Sequence, residues 1–212
     1  MNWGTFLHNK YFRNEFIISV LVLAIMLFAL ANFLNFNENR EGITLADPIL
    51  RYFKAVDLTW LVFGLIYLSI VIILYTLALN PPQMAFTFQC YSLLLLIRII
   101  MMFMMPLNPP EGMILLNDPF VQFFGTGQIL TKDLFFSGHT ATIFLFYLVS
   151  DKKTLKIFFL VATILVGVFV LLQHVHYAID VASAPFFSYL SYRLVYLMQT
   201  KKLKVSLIED KI

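Results

Sequence analysis

Six long apolar stretches dominate this chain, at residues 16–33, 58–79, 86–105, 134–149, 155–172 and 177–198, each bounded by charged residues, Asn or Pro. A bilayer core of about 30 Å takes roughly 20 apolar residues per helix. Stretches of this length predict an all-α integral membrane protein, a bundle of six transmembrane helices. Composition agrees, with 60% hydrophobic and 13% charged residues where a soluble domain carries roughly 25% charged. A mean hydropathy of +0.83 exceeds what a water-facing globule of this size can hide. The single cysteine, Cys90, excludes an intramolecular disulfide and a cysteine-cluster metal site. A net charge of +3 is too small and too dispersed to argue for nucleic acid.

The fourth stretch is short and carries Ser137, Gly138, His139 and Thr140, so it is identified mainly by its charged flanks, Lys132-Asp133 and Asp151-Lys152-Lys153. The first follows Lys10 and Arg13 and ends in Ala29-Leu30-Ala31, the outline of a secretory leader. Glu15 at its edge argues for a retained helix instead. Lys and Arg set orientation, being in excess on the cytoplasmic side. With the N-terminus inside, that side holds Lys10, Arg13, Lys152, Lys153, Lys156, Lys201, Lys202, Lys204 and Lys211, against Arg40, Arg51, Lys54 and Lys132 outside. Both termini are therefore expected in the cytoplasm. The Phe, Ile, Lys and Asn usage suggests a bacterial inner membrane. No linker or repeat divides the chain, which reads as one membrane domain, 1–212, with 86–198 as its catalytic part. Pro81-Pro82 predicts a tight turn between spans two and three. The segment 106–132 reads as a re-entrant or capping loop at the interface. In 35–57, Ile43, Leu45, Ile49, Leu50 and Phe53 alternate with polar positions, which suits either a short helix on the membrane surface or a plain connector.

An ionisable side chain at the bilayer centre costs about 2.5–3.5 kcal/mol on insertion scales, so the few present are functional candidates. His139 opens span four, His176 and Asp180 open span six, and Arg98 lies seven residues before the end of span three. At about 1.5 Å per residue Arg98 is roughly 10 Å below the outer surface. The orientation thus puts all four in the outer half of the membrane, although it was read from loop charges alone. His176 and Asp180 are four apart and share a helix face. A carboxylate there fixes the imidazole tautomer that leaves the other nitrogen free to attack. A second imidazole, His139, can protonate a leaving alkoxide. Two histidines and an aspartate suffice for in-line phosphoryl transfer, with no metal or cofactor expected. Ser137 and Gly138 at a helix start favour an anion such as phosphate, and Arg98 offers it a charge-assisted contact. Each signal alone has a structural explanation: interfacial histidines are usually structural, Ser-Gly is common at helix starts, and a membrane arginine can simply snorkel. Their common depth favours catalysis.

Phe136-Ser-Gly-His-Thr140 and His176-Tyr-Ala-Ile-Asp-Val181 resemble the two signature motifs of the sphingomyelin synthase branch of the type 2 phosphatidic acid phosphatase superfamily. The resemblance covers spans three to six. It implies a non-cytoplasmic active site that transfers a phospho-headgroup between lipids: a phospholipid is the donor, releasing diacylglycerol, and a lipid alcohol such as ceramide is the acceptor. By this resemblance His176 attacks phosphorus, Asp180 orients it, and His139 protonates the departing diacylglycerol. Asp133 matches an acidic position of the motif (GDxxFSGH there, KDLFFSGH here) and assists proton transfer. Arg98 and the following Met105-Pro-Leu-Asn-Pro-Pro stretch resemble the family's arginine-to-proline segment, with Glu111 the nearest acidic residue to join the site. The KxxxxxxRP motif of general lipid phosphatases, and their arginine before the second histidine, are absent.

Two other readings stand beside this one. A lipid phosphate phosphatase would use the same histidines on phosphatidate or a prenyl diphosphate, and a scaffold or transporter would leave them idle. Tyr177, Phe135, Phe123 and Phe124 are candidates to cage a headgroup ammonium by cation–π contact.

Overall fold

A computed structural model of the protein describes residues 3–116 and 130–209, with side chains as far as residue 200. The described residues form α1 (Trp3–His8), α2 (Lys10–Glu38), α3 (Thr59–Ala78), α4 (Pro81–Met104), α5 (Gly138–Val149), α6 (Lys153–Leu172) and α7 (Ala178–Glu209), with a 3₁₀ turn at Leu50–Tyr52. Among them the only β pairing is an isolated bridge between Ile43 and Leu107. Four helices, α2, α3, α4 and α6, are long and apolar enough to cross a membrane, consistent with a multi-pass membrane protein. The other two of the expected six do not meet that combined standard. α5 has 12 residues, about 18 Å of rise, and α7 carries Asp180 in its first turn and Pro185 within.

One open alternative is decided and two local expectations are corrected. Residues 35–57 form no amphipathic helix: α2 runs on to Glu38, and the rest is an extended strap holding only the 3₁₀ turn. Asp47 explains the break, because its Oδ1 accepts the Ile49 N–H at 2.8 Å and competes with helical pairing. The apolar positions of the strap still find burial, with Leu45, Leu50 and Phe53 packing on Leu107, Leu134, Phe135 and Tyr177. Pro81 and Pro82 are not the turn between α3 and α4 but the first turn of α4, where a missing N–H costs nothing and the fixed φ suits a helix. The fourth span starts late, since residues 134–137 precede the helix and Ser137 is its N-cap. Of the loop 106–132, residues 117–129 lie outside the described residues, and Phe123 and Phe124 with them.

The main core joins α3 to α7 through Val62, Leu94, Ile143, Phe159, Val166 and Val195. Hydroxyls lock it, with Ser188 Oγ donating to the Ala141 carbonyl at 2.8 Å and Ser191 Oγ to that of Cys90 at 2.5 Å. In lipid such bonds are worth about 0.6–2 kcal/mol each. α2 lies at the edge of the bundle, only 6% of its most apolar window buried. Its end, however, grips the approach to α5. Glu38 accepts the N–H groups of Thr131 at 2.9 Å and Lys132 at 3.0 Å, and Asn37 Nδ2 donates to the Lys132 carbonyl at 2.8 Å.

The strap crosses residues 106–108 so closely that only glycine fits at position 42. A Cβ there would stand 2.7 Å from the Leu107 carbonyl carbon, and backbone cannot retreat cheaply. Gly42→Ala is expected to cost about 1–3 kcal/mol, read as a lower thermal unfolding midpoint in detergent, whereas Gly64→Ala, inside α3 where a Cβ meets nothing within 4 Å, is expected to leave the midpoint unchanged or raise it.

Candidate active site

The site is built where α5 begins and where α6 turns into α7. Ser137 caps α5, its Oγ accepting the Thr140 N–H at 3.4 Å, and His139 follows in the first turn. α6 ends in a Schellman motif, with the Val175 N–H on the Val170 carbonyl and the His174 N–H on that of Leu171, both at 2.9 Å. This sharp reversal delivers His176 just ahead of α7. Asp180, third in α7, reaches back to accept the Tyr177 N–H at 3.2 Å, the acidic half of a capping box.

The same carboxylate orients the imidazole. His176 Nδ1 lies 3.4 Å from Asp180 Oδ2, and since a carboxylate only accepts, Nδ1 carries the proton. The lone pair is then on Nε2, which is buried and has no hydrogen-bond partner among the described residues. His139 faces it, with ring centroids 5.9 Å apart and planes at 65°. The Ser137 N–H donates to the Asp180 carbonyl at 3.1 Å, so one backbone bond fixes the two histidine segments against each other.

Arg98 on α4 completes the cluster. Its guanidinium is buried, pairs with Asp133, and occupies the space that a Cβ on Gly138 would need. Gly138 therefore seats the arginine. Burial alone would raise the pKa of Asp133, but the adjoining Arg98 charge and hydrogen bond, with His139 and His176 nearby, hold it below the ordinary carboxylate value. A carboxylate so depressed stabilises the fold fully above its unfolded pKa of about 3.9 and loses that contribution only as pH falls through the lower folded value. A cavity of about 210 Å³ runs beside this cluster, lined by Arg98, Asp133 and His139 together with the apolar Leu30, Ile66 and Leu94. Charged groups meet a hydrocarbon wall there, as an amphiphile requires.

His139, His176, Asp180, Arg98 and Asp133 thus come together, with Gly138 against the guanidinium and the Ser137 backbone bonded to Asp180; the side chains of the remaining candidates are engaged elsewhere or exposed. The Ser137 hydroxyl is engaged with Thr140. Tyr177 is largely buried, its hydroxyl donating to the Asn108 carbonyl at 2.9 Å and accepting the Leu45 N–H at 3.2 Å. Phe135 packs edge-on against Phe187, centroids 6.2 Å apart. The Glu111 side chain is exposed, while its carbonyl meets His174 Nδ1 at 3.0 Å. Sequence reasoning missed Asp47, whose Oδ2 accepts the Ala178 N–H at 2.6 Å and caps α7 from 131 residues away. It also missed Glu38.

Residues 132–198 match the family model described as PAP2 superfamily C-terminal. The match spans both histidine segments, and it supports the PAP2 superfamily and phosphatase or phosphotransferase chemistry on lipids. No curated protein and no solved structure matches the chain.

Asp133→Ala strands the Arg98 charge, whose Nε already lacks a partner among the described residues. A broken buried pair costs roughly 3–5 kcal/mol, and the lower end is expected because the Asp133 side chain is 30% exposed. Adding Arg98→Met to that variant is expected to restore much of the lost thermal stability, as measured by unfolding in detergent.

Proposed function

We propose that this protein is a membrane lipid phosphotransferase that moves a phospho-headgroup from a phospholipid to a lipid alcohol such as ceramide, in the manner of the sphingomyelin synthase branch. The observation that carries the reading is the orphaned, buried Nε2 of His176, aligned by Asp180 and faced by His139. A buried lone pair without a donor is costly unless something else meets it. Here the reacting phosphorus takes that place.

His176 Nε2 attacks the phosphodiester, a P–N bond forms, and the P–O bond to diacylglycerol breaks. His139 gives its proton to the departing alkoxide. Asp180 stabilises the imidazolium character that grows on His176. Arg98 balances charge on the non-bridging oxygens, exchanging part of its pairing with Asp133 for the substrate anion. In the second half the acceptor hydroxyl loses its proton to His139 and attacks phosphorus, which releases His176. The loop charges support a non-cytoplasmic site. The absence of the general phosphatase motifs favours a lipid alcohol over water as acceptor.

Purified His176→Ala is expected to lose transfer to background, and His139→Ala to fall by about 10²–10⁴-fold. Quenching the wild type in alkaline detergent with a headgroup-labelled phospholipid should trap label on His176, since a P–N bond survives base and not acid. Wild-type activity in His176→Ala overturns the nucleophile. Inorganic phosphate from phosphatidate, with no new headgroup-bearing lipid, makes the protein a phosphatase.

A further inference from the structure

A second polar cavity, of about 510 Å³, lies over the α6–α7 turn and is walled by Asp47, Arg51, Glu111, His174 and Tyr177. Three features of His174 single it out. It takes the C′ position of the Schellman motif with φ +57°, a left-handed conformation that glycine adopts freely and that costs other residues roughly 1–2 kcal/mol. A histidine is kept there nonetheless. Its Nδ1 lies 3.0 Å from the Glu111 carbonyl, and a carbonyl only accepts, so Nδ1 bears the proton and Nε2 the lone pair. Finally, His174 is only 7% exposed, yet Nε2 has no partner among the described residues.

His174 therefore lines the cavity while keeping a fixed, unmet acceptor buried beside it, and the wall carries two carboxylates against one guanidinium. Its natural complement is a cation with hydrogens to donate. A primary ammonium has N–H groups for Nε2 and positive charge for Asp47 and Glu111. A trimethylammonium has the charge but no donor, and a glycerol has donors but no charge.

We propose that this cavity is the headgroup subsite and that His174 selects phospholipids bearing a primary ammonium. The assignment rests on the lipid phosphotransferase reading for its role in turnover, but not for binding itself. His174 touches the headgroup and not the reacting phosphorus, so it is a specificity residue.

The test uses full-length protein in nanodiscs. Wild type is expected to process phosphatidylethanolamine in preference to phosphatidylcholine and phosphatidylglycerol, and titration calorimetry on catalytically silent His176→Ala should show phosphoethanolamine binding more tightly than phosphocholine. His174→Gly relieves the backbone and is expected to fold at least as stably, yet to raise KM for the ethanolamine lipid about tenfold with kcat little changed. His174→Asn, which tolerates the left-handed conformation and offers an amide oxygen, is expected to recover much of the preference. A folded His174→Gly protein with unaltered selectivity overturns the assignment, as does equal binding of phosphocholine. If His176→Ala stays active while the ammonium preference persists, the nucleophile falls and the subsite stands.

Discussion

Everything at the histidine end of the bundle depends on the backbone and carboxylate of Asp180. Its Oδ2 satisfies a main-chain donor ahead of α7 and lies against His176 Nδ1, while its carbonyl receives the Ser137 N–H. One residue thus starts a helix, sets a tautomer and couples two segments that are about 40 residues apart in the chain. The carboxylate oxygen that spacing places beside His176 is also the one that caps the start of α7. A carboxylate with both duties cannot swing away from the imidazole without loosening the helix start. That is preorganisation in a literal sense.

Around this joint the long helices contribute packing and a few hydroxyl locks, whereas the strap 39–58 and residues 106–116 cover the α6–α7 turn with polar connections. Gln173 shows how tightly they are sewn together. Its Oε1 accepts the Leu58 N–H at 3.2 Å, its Nε2 donates to Thr59 Oγ1 at 2.8 Å, and its carbonyl takes the Ile114 N–H at 3.1 Å. A polar side chain 0% exposed is affordable there because each end is bonded.

The helical membrane character, the participation of His139, His176, Asp180 and Arg98 in one cluster, and the location of Asp133 near them were legible in the sequence. Apolar run length and i,i+4 spacing are local signals, and they survive folding. What escaped was long-range. Asp47 caps a helix that begins 131 residues later, Glu38 clamps the approach to α5, and Gly138 serves an arginine from another helix. None of these leaves a mark in a short window. Aromatic chemistry alone did not separate packing from binding, since Tyr177 and Phe135 are both buried. The histidine most informative about the outer cavity, His174, sits at a position where sequence rules expect glycine.

The shortness of α5 has a further consequence. Twelve residues rise about 18 Å, roughly 12 Å less than a 30 Å hydrocarbon slab, and residues 134–137 lead into the helix as non-helical backbone. On the phosphotransferase reading, a short helix at the site favours thinning of the adjacent leaflet, which lowers the phosphate layer toward the imidazoles, so that a lipid tips rather than climbs out of the bilayer to present its phosphorus.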